Sequence, residues 1–191
     1  MDLDLIFNKF LRNLTVGQFE KATSIINSKE LTTVEKYLDV MEYLGVPAAV
    51  IDEMSNEDFK KAVTILNSFE FERSLVPSIE LEGYTYTANV VDGQLQLKAR
   101  ELALLEKEVQ SGREFFAYTL AVLFKRTDLS SAEHYDKAHI KHKAKLFKEV
   151  LAGHYYMYVV ELTKILAQNL QTAATTAPTN SETLEDDSQV S

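Results

Sequence analysis

The chain of 191 residues contains no cysteine. This absence excludes disulfide bonds, thiolate zinc sites, cysteine nucleophiles and iron–sulfur clusters. The six glycines are scattered and form no phosphate-binding loop, and the GxSxG and HExxH motifs are missing. Acidic pairs such as Glu80 with Glu82 occur, but no pattern places two carboxylates across a cleft. The sequence therefore predicts a protein that is not an enzyme and that binds no cofactor.

Long apolar runs are absent as well. No stretch approaches the roughly 18 residues that a membrane-spanning helix needs. The opening residues, MDLDLIFNKF, are acidic at the start and lack the basic-then-apolar order of a signal peptide. We therefore expect a soluble protein that is not exported and does not contact a membrane.

Positive charge is scarce, because 20 Lys and Arg residues face 29 Asp and Glu residues and give a net charge of −9. This balance argues against general nucleic-acid binding. The charge is also uneven: residues 1–110 carry −8, residues 111–170 carry +3 and residues 171–191 carry −4. Opposite signs in the two halves favour packing of one half on the other or self-association, and chance scatter accounts for them equally well.

What the sequence does contain is helical periodicity, which predicts a mostly α fold. Residues 1–75 are expected to form an N-terminal lobe of short helices with apolar stripes on one face. Helix start signals precede these stripes. In each, a hydroxyl side chain and an acid or amide side chain three residues later satisfy the free amides at the start of the helix. The pairs are Thr15 with Gln18, Thr32 with Glu35, and Ser55 with Asp58.

The middle of the chain changes to β-type alternation. Within residues 76–96, the segment VPSIELEGYTYTANVVDGQLQ has β-branched and aromatic residues and an Asp92-Gly93 turn signal. It predicts one short β-hairpin near residues 79–96, in which residues 79–81 or 84–87 pair with residues 90–91 or 94–96. Two isolated strands are marginal, so this connector must lean on helices.

Residues 97–170 return to helical spacing and predict a C-terminal multi-helix bundle. The piece REFFAYTLAVLFKR is apolar on nearly every side, which is typical of a central helix covered by its neighbours. Residues 171–191 are rich in Thr, Ser and Ala with acidic residues near the end. They cannot bury enough apolar surface to offset ordering, so a disordered acidic tail is expected.

The segment EHYDKAHIKHKAKLFKEV, residues 133–150, holds three histidines and raises the question of a metal site. His139 and His142 share a helix face, but His134 lies five residues earlier, about 140° around the axis. A third ligand would have to come from another element, and the neighbouring lysines oppose a cation, so no metal is expected. The predicted inward stripe is Ile140, Ala144, Phe147 and Leu151, with His139, His142 and Lys143 off it.

The same helix carries a ridge of lysines at spacings of four, four and three, namely Lys137, Lys141, Lys145 and Lys148. Such a ridge suits a solvated face, an acidic protein surface or, third, phosphates. The scarcity of Arg and the lack of interleaved aromatics weaken the nucleic-acid interpretation. The ridge is expected first to be a solvated face and second to be a candidate surface for an acidic partner protein.

Aromatic side chains follow on the next helix. Tyr155 and Tyr158 belong to an aromatic group that also includes Phe115, Phe116 and Tyr156. Tyrosine can bury its ring at an interface and keep its hydroxyl in water. The group is expected to be core plus interface, with Tyr155 and Tyr158 as partner-binding candidates.

Two stretches of the chain have a familiar order of residue types. The first is LTVGQFEKATSIIN followed by YLDVMEYLGVPAAVIDEMSNEDFKKAVTIL. The second is EFFAYTLAVLFKRTDLSSAEHYDKAHIKHKAKLFKEVLAGHYYMYVVEL, where an apolar helix, a Tyr135-Asp136 pair, a basic helix and an aromatic-rich helix follow in order. Together they resemble small helical bacteriophage proteins encoded beside tail genes. The resemblance covers roughly residues 14–166 and carries no catalytic residues.

The resemblance implies a non-enzymatic phage virion-assembly or structural protein of the tail-assembly-chaperone kind. Its expected partners are other virion proteins or a second copy of the chain, and its expected location is the host cytoplasm or the virion. A nucleic-acid-associated helical module that uses the ridge from Lys137 to Lys148 is the alternative, and a metal-dependent enzyme centred on His139 and His142 is the third hypothesis.

Overall fold

The computed structural model describes residues 3–68, 70–71, 75–111 and 115–176. Within these ranges the chain forms ten helices and five short strands, which confirms the mostly α prediction. The helices are α1 (Leu3–Arg12), α2 (Val16–Ile26), α3 (Thr33–Tyr43), α4 (Ala48–Asp52), α5 (Asn56–Ser68), α6 (Ala99–Ser111), α7 (Phe115–Leu123), α8 (Ser131–His134), α9 (Lys137–Phe147) and α10 (Ala152–Thr176). The strands are β1 (Ser78–Leu81), β2 (Tyr84–Thr87), β3 (Val90–Val91), β4 (Gln94–Leu95) and β5 (Lys125–Arg126).

Helices α1 to α5 form the first lobe, and their starts follow the sequence signals. Thr15 and Thr32 each close a full capping box, with the hydroxyl accepting from the amide three residues on and that residue's side chain accepting in return. The apolar faces of these helices meet in a core of eight buried side chains: Phe7, Leu11, Leu14, Val40, Met41, Leu44, Val46 and Ala62.

The strands form two hairpins, so the prediction of a single hairpin is wrong. β1 pairs with β2 around Glu82-Gly83, and β3 pairs with β4 around Asp92-Gly93. All four loop residues have positive φ, between 51° and 77°, as tight primed turns require. The second edge of β2 pairs with β5, so neither edge of β2 is available to residues 90–96.

Helices α6 to α10 form the second lobe around α7. As predicted for this apolar segment, α7 is central: seven of its nine residues are buried, and α2, α6, α9 and α10 all contact it. α10 continues to Thr176, six residues beyond the predicted end of the bundle at residue 170. The rest of the predicted tail, residues 177–191, lies outside the described residues.

The two lobes are joined through main-chain hydrogen bonds. Val16 N donates to Val150 O at 2.8 Å, Gly17 N donates to Lys148 O at 2.9 Å, and Ala152 N donates to Leu14 O at 2.7 Å. A Cβ at Gly17 would lie 3.1 Å from Lys148 Cβ and 3.2 Å from Lys148 O. Glycine therefore permits the start of α2 to approach the end of α9 this closely.

Aromatic rings fill the space beside this joint. Phe19 of α2 makes edge-to-face contacts with Phe71, Phe116 and Tyr156 at centroid distances of 5.7, 5.7 and 5.6 Å. Phe19 packs against the cores of both lobes. Such pairs stabilise a fold by about 0.5–1.5 kcal/mol each beyond their buried area, so they help to fix α2 against the second lobe.

Candidate functional site: a basic groove beside the central helix

A broad groove lies beside α7, with residues of α2 and α9 in its lining. The groove is open to solvent and has a volume of about 1470 Å³. Its apolar lining includes Leu104 of α6, Phe115 and Tyr118 of α7, and Ile140 and Ala144 of α9. A concave surface with an apolar lining is the kind of place where a partner side chain or helix is bound.

The whole lysine ridge lines this groove. Lys137, Lys141 and Lys145 are exposed, and Lys148 is half-buried. The register of the ridge is set at the start of α9, where the Asp136 carboxylate accepts from the amides of Ala138 and His139 at 2.9 and 3.0 Å. The four lysines that the sequence grouped by spacing therefore lie together along one groove.

The charge of the groove opposes the charge of the chain. Six lysines and three glutamates line it, although the whole chain carries −9. One of the glutamates, Glu20, has an oxygen that accepts from the amide of Ala117 at 2.8 Å, at the start of α7. The local excess of positive charge favours an acidic occupant.

Tyr155 and Tyr158 do not line the groove, so the prediction that they bind a partner is wrong. Their exposed fractions are 5% and 0%, and both pack in the core of the second lobe. The Tyr158 hydroxyl donates to Val76 O at 2.8 Å, so it needs no solvent or partner. Both rings contact Phe124, which makes them part of the core rather than of an interface.

Lys143 was expected off the inward stripe, and this expectation is also wrong. Its exposed fraction is 0%. Lys143 lies three residues after Ile140 and four before Phe147, which is the spacing of the buried face itself. A charged side chain is expected at the surface, but the position of Lys143 on the helix and its hydrogen bonds place it in the core. His134 is buried as well, at 2% exposed.

These two buried side chains bind the carboxyl end of α7. Lys143 Nζ donates to Phe124 O at 2.9 Å, and His134 Nε2 lies 3.0 Å from Val122 O. Since a carbonyl only accepts, Nε2 carries the His134 proton and Nδ1 accepts from Lys143 Nζ at 2.9 Å. The last carbonyls of a helix have no partner within it, and α7 ends in the core where water cannot supply one. When it is protonated, the Lys143 amine also suits the negative carboxyl end of a helix.

Burial dominates the protonation of this pair. It lowers the pKa of His134 to about 4, and the Lys143 charge adds to the effect. Burial also lowers the pKa of Lys143 to about 7, with the nearby Lys125 charge as the second cause. The imidazole is therefore neutral at pH 7, and the Lys143 amine titrates near neutrality.

A second buried polar group surrounds Glu101 of α6, which is 1% exposed. One oxygen accepts from the Tyr135 hydroxyl at 2.9 Å and pairs with Lys125 Nζ, and the other accepts from Lys98 N at 2.7 Å. The Arg100 guanidinium stacks over the Tyr135 ring, 4.7 Å from its centre. The sequence patterns did not predict this group. Its one local signal is the spacing of Lys98 and Glu101, which is that of a helix start.

The other two histidines of α9, His139 and His142, have different surroundings. His139 is half-buried, and burial lowers its pKa. His142 is exposed, and its Nε2 lies 3.8 Å from a Glu82 oxygen. Among the described residues, no three His, Asp or Glu side chains converge as metal ligands would. In the same ranges, no helix combines the length and hydropathy of a membrane-spanning segment.

Comparison with known protein families, with curated proteins and with solved structures finds no match to this chain.

Proposed function

We propose that this chain is a non-enzymatic binding protein that holds an acidic, partly apolar segment of a protein partner in the basic groove. One observation carries the proposal: a groove lined by six lysines and three glutamates, with apolar side chains between them, on a chain of net charge −9. Apolar contact supplies most of the affinity of such a site, and the lysines supply orientation and selectivity.

The class of partner that we propose is a bacteriophage virion protein, bound during assembly. The resemblance of residues 14–166 to small helical phage proteins supports this choice, and so does the groove itself. An assembly chaperone must cover an apolar surface of a virion subunit and release it later. A groove that combines apolar and charged lining suits reversible binding. Self-association through the same groove is the other protein partner considered, and the host cytoplasm or the virion is the proposed location.

The test is capture of the tagged full chain from cells that express it together with the virion genes of its phage. We expect an identified tail or capsid subunit to be retained by the chain. The double variant Lys141→Glu with Lys145→Glu should lose that subunit, since it reverses the charge of two exposed groove lysines.

The matched control is Lys60→Glu with Lys61→Glu. It makes the same change of net charge at two exposed positions of α5, which contributes nothing to the groove lining. Equal retention of the subunit by both double variants would contradict a role for the groove. Retention of proteins other than virion subunits would contradict the class of partner.

A second function is favoured by the exposure of Lys137, Lys141 and Lys145, namely binding of nucleic-acid phosphates along the ridge. It predicts that the full chain binds a fluorescent DNA or RNA oligonucleotide with an affinity that falls steeply with salt. The Lys141→Glu with Lys145→Glu variant should then bind far more weakly than the α5 control. An oligonucleotide that shows no salt-dependent binding eliminates this function.

A further inference from the structure

We propose that the basic groove of one copy binds an acidic surface on the first lobe of a second copy, and that a virion subunit must displace this contact. The inference rests on the proposed function, because it assigns a competing occupant to the same groove. We call the surface the acidic corner. It consists of exposed side chains of α3, of α4 and of the residues next to α4, namely Asp39, Glu42, Tyr43, Pro47, Ala48, Ala49, Asp52 and Glu53.

The α3 part of the acidic corner follows from helical geometry. Residues 37–59 contain six acidic and no basic side chains. One face of α3 is buried in the core of the first lobe. At about 100° per residue, Asp39, Glu42 and Tyr43 fall within roughly 100° of one another on the other face, and all three are exposed. An exposed tyrosine ring therefore lies between two carboxylates.

The α4 part of the acidic corner has the same character. Ala48, Ala49, Asp52 and Glu53 fall within roughly 140° around the helix axis, and all four are exposed. Since α3 and α4 contact each other, their exposed faces adjoin. The acidic corner thus combines carboxylates with apolar side chains, which is the composition that the proposed function requires of an occupant.

Unpaired charge on both surfaces is the main support. In the part of the chain that the structure describes, no ion pair neutralises any of the four carboxylates of the acidic corner. The same ranges hold no ion pair to the exposed lysines of the ridge, which are Lys137, Lys141 and Lys145. Surfaces of opposite charge that have no partner within their own chain favour each other across an interface.

Apolar contact is the second support. Tyr43 is exposed on the acidic corner, and the groove lining offers Leu104, Phe115 and Ile140 between its charged side chains. Tyrosine is among the residues that contribute most to binding energy when an interface buries them. We expect the Tyr43 ring to pack on this apolar lining while the carboxylates around it meet the lysine ridge.

The acidic corner can enter only the groove of another chain. None of residues 37–59 lines the groove, and Val40, Met41 and Leu44 hold α3 in the core of the first lobe. A contact between two different surfaces is heterologous and joins copies head to tail. The groove of a free chain is therefore covered by a second copy until a virion subunit competes for it.

The first experiment follows self-association of the full chain by sedimentation velocity, over a series of protein concentrations at low salt. We expect the chain to self-associate and added salt to weaken the association. Asp52→Lys with Glu53→Lys should weaken it by about tenfold or more, and so should Lys141→Glu with Lys145→Glu, since each places like charges opposite each other. A full chain that stays monomeric at every concentration overturns the proposal.

The matched controls make the same changes of net charge at exposed positions outside both surfaces. They are Glu80→Lys with Glu106→Lys for the acidic corner, and Lys60→Glu with Lys61→Glu for the groove. Both controls should self-associate as the unaltered chain does. Equal weakening by a control and by its matched variant overturns the proposal, because net charge alone then explains the effect.

A mixture of the two reversed chains tests whether these two surfaces bind each other. The chain with the reversed groove keeps its acidic corner, and the chain with the reversed corner keeps its basic groove. An equal mixture should therefore associate, although neither chain does so alone. A misfolded variant could not restore association in this way, and a mixture that stays monomeric overturns the proposal.

Virion-subunit capture separates this inference from the proposed function. Asp52→Lys with Glu53→Lys leaves the groove lining unchanged, so this variant should retain the subunit. Capture without any self-association of the full chain contradicts only the contact between copies. Self-association that depends on both surfaces, without capture of a virion subunit, contradicts only the proposed function.

Discussion

The core of the first lobe contains eight buried apolar side chains, whereas the core of the second lobe surrounds four buried polar ones. Among the described residues, Glu101, Thr119, His134 and Lys143 all lie in the second lobe. The difference follows from where the helices end. Thr15 and Thr32 cap α2 and α3 from exposed or partly exposed positions, where water can supply further partners.

The carboxyl end of helix α7 has no such exposed surface, since Val122, Leu123 and Phe124 are all buried. Glu20 of α2 accepts from an amide at its start, and His134 and Lys143 donate to carbonyls at its end. A buried helix leaves end groups that are costly without partners, so the polar side chains of its neighbours must enter the core. The comparison teaches that His134 and Lys143 are buried because α7 ends inside the core, whereas Glu101 accepts from the amide of Lys98 before α6 and pairs with Lys125.

The largest test of this comparison is removal of the buried carboxylate. Glu101→Ala leaves Lys125 and the Tyr135 hydroxyl without their shared partner. Loss of one member of a buried pair is strongly destabilising, so we expect the free energy of unfolding to fall by about 3 kcal/mol in urea denaturation. Glu106→Ala, at an exposed position of the same helix, should change it by less than about 0.5 kcal/mol. If Glu101→Ala lowers the free energy of unfolding no more than Glu106→Ala does, the buried network adds no stability.

The next test is the pH dependence that Lys143 imposes. Its pKa is about 7 in the folded chain and 10.5 as the ordinary value, so between these limits the unfolded state binds more protons. Stability therefore rises with pH across this window and is lost as pH falls from 10.5 towards 7. We expect urea denaturation at pH 7.5 and pH 9 to differ by about 2 kcal/mol, since one pH unit corresponds to about 1.4 kcal/mol.

The matched variants for that measurement lie on α9. Lys143→Met removes the titrating group and should flatten the rise, whereas Lys145→Met at an exposed position should retain it. If Lys143→Met keeps the full rise, a different group causes the pH dependence. His134 has its pKa lowered to about 4 and adds a separate loss of stability only as pH falls from 6.5 towards 4.

The smallest test concerns a feature that the two lobes share. Thr32 in the first lobe and Ser130 in the second form the same capping box with Glu35 and Glu133. Each change to Ala should lower the free energy of unfolding by about 1 kcal/mol. Thr33→Ala, one residue inside α3 and exposed, should leave it within about 0.5 kcal/mol. A much larger loss at Ser130 would mean that the second lobe depends on this cap to position His134.

Local signals in the sequence were sufficient for much of the fold. The capping boxes at Thr15, Thr32 and Ser130 depend on side chains three residues apart, and the apolar composition of α7 by itself required cover on all sides. The number of hairpins could not be obtained in this way. Glu82-Gly83 forms a primed turn although Glu is a weak signal for one, and the pairing of β2 with β5 joins segments about 40 residues apart.

The candidate site was predictable in part for the same reason. The spacing of Lys137, Lys141 and Lys145 placed them on one face of α9, but the opposite side of the groove comes from α2, more than 100 residues earlier. Lys143 was misplaced because residue type was given more weight than its position on the buried face. The carbonyls of Val122 and Phe124, which make that burial acceptable, lie on another helix that sequence spacing does not connect.

The main-chain joint between Gly17 and Lys148 also bears on how the molecule is synthesised. The two residues are separated by 131 positions, so the joint cannot form until the second has left the ribosome. At a synthesis rate of about 5–20 residues per second, the end of α9 is completed on the order of ten seconds after α2. During that interval the ring of Phe19 lacks Phe116 and Tyr156, and a nascent chain presents an uncovered aromatic surface. Translation speed through residues 20–156 therefore sets how long this surface is exposed to other nascent chains.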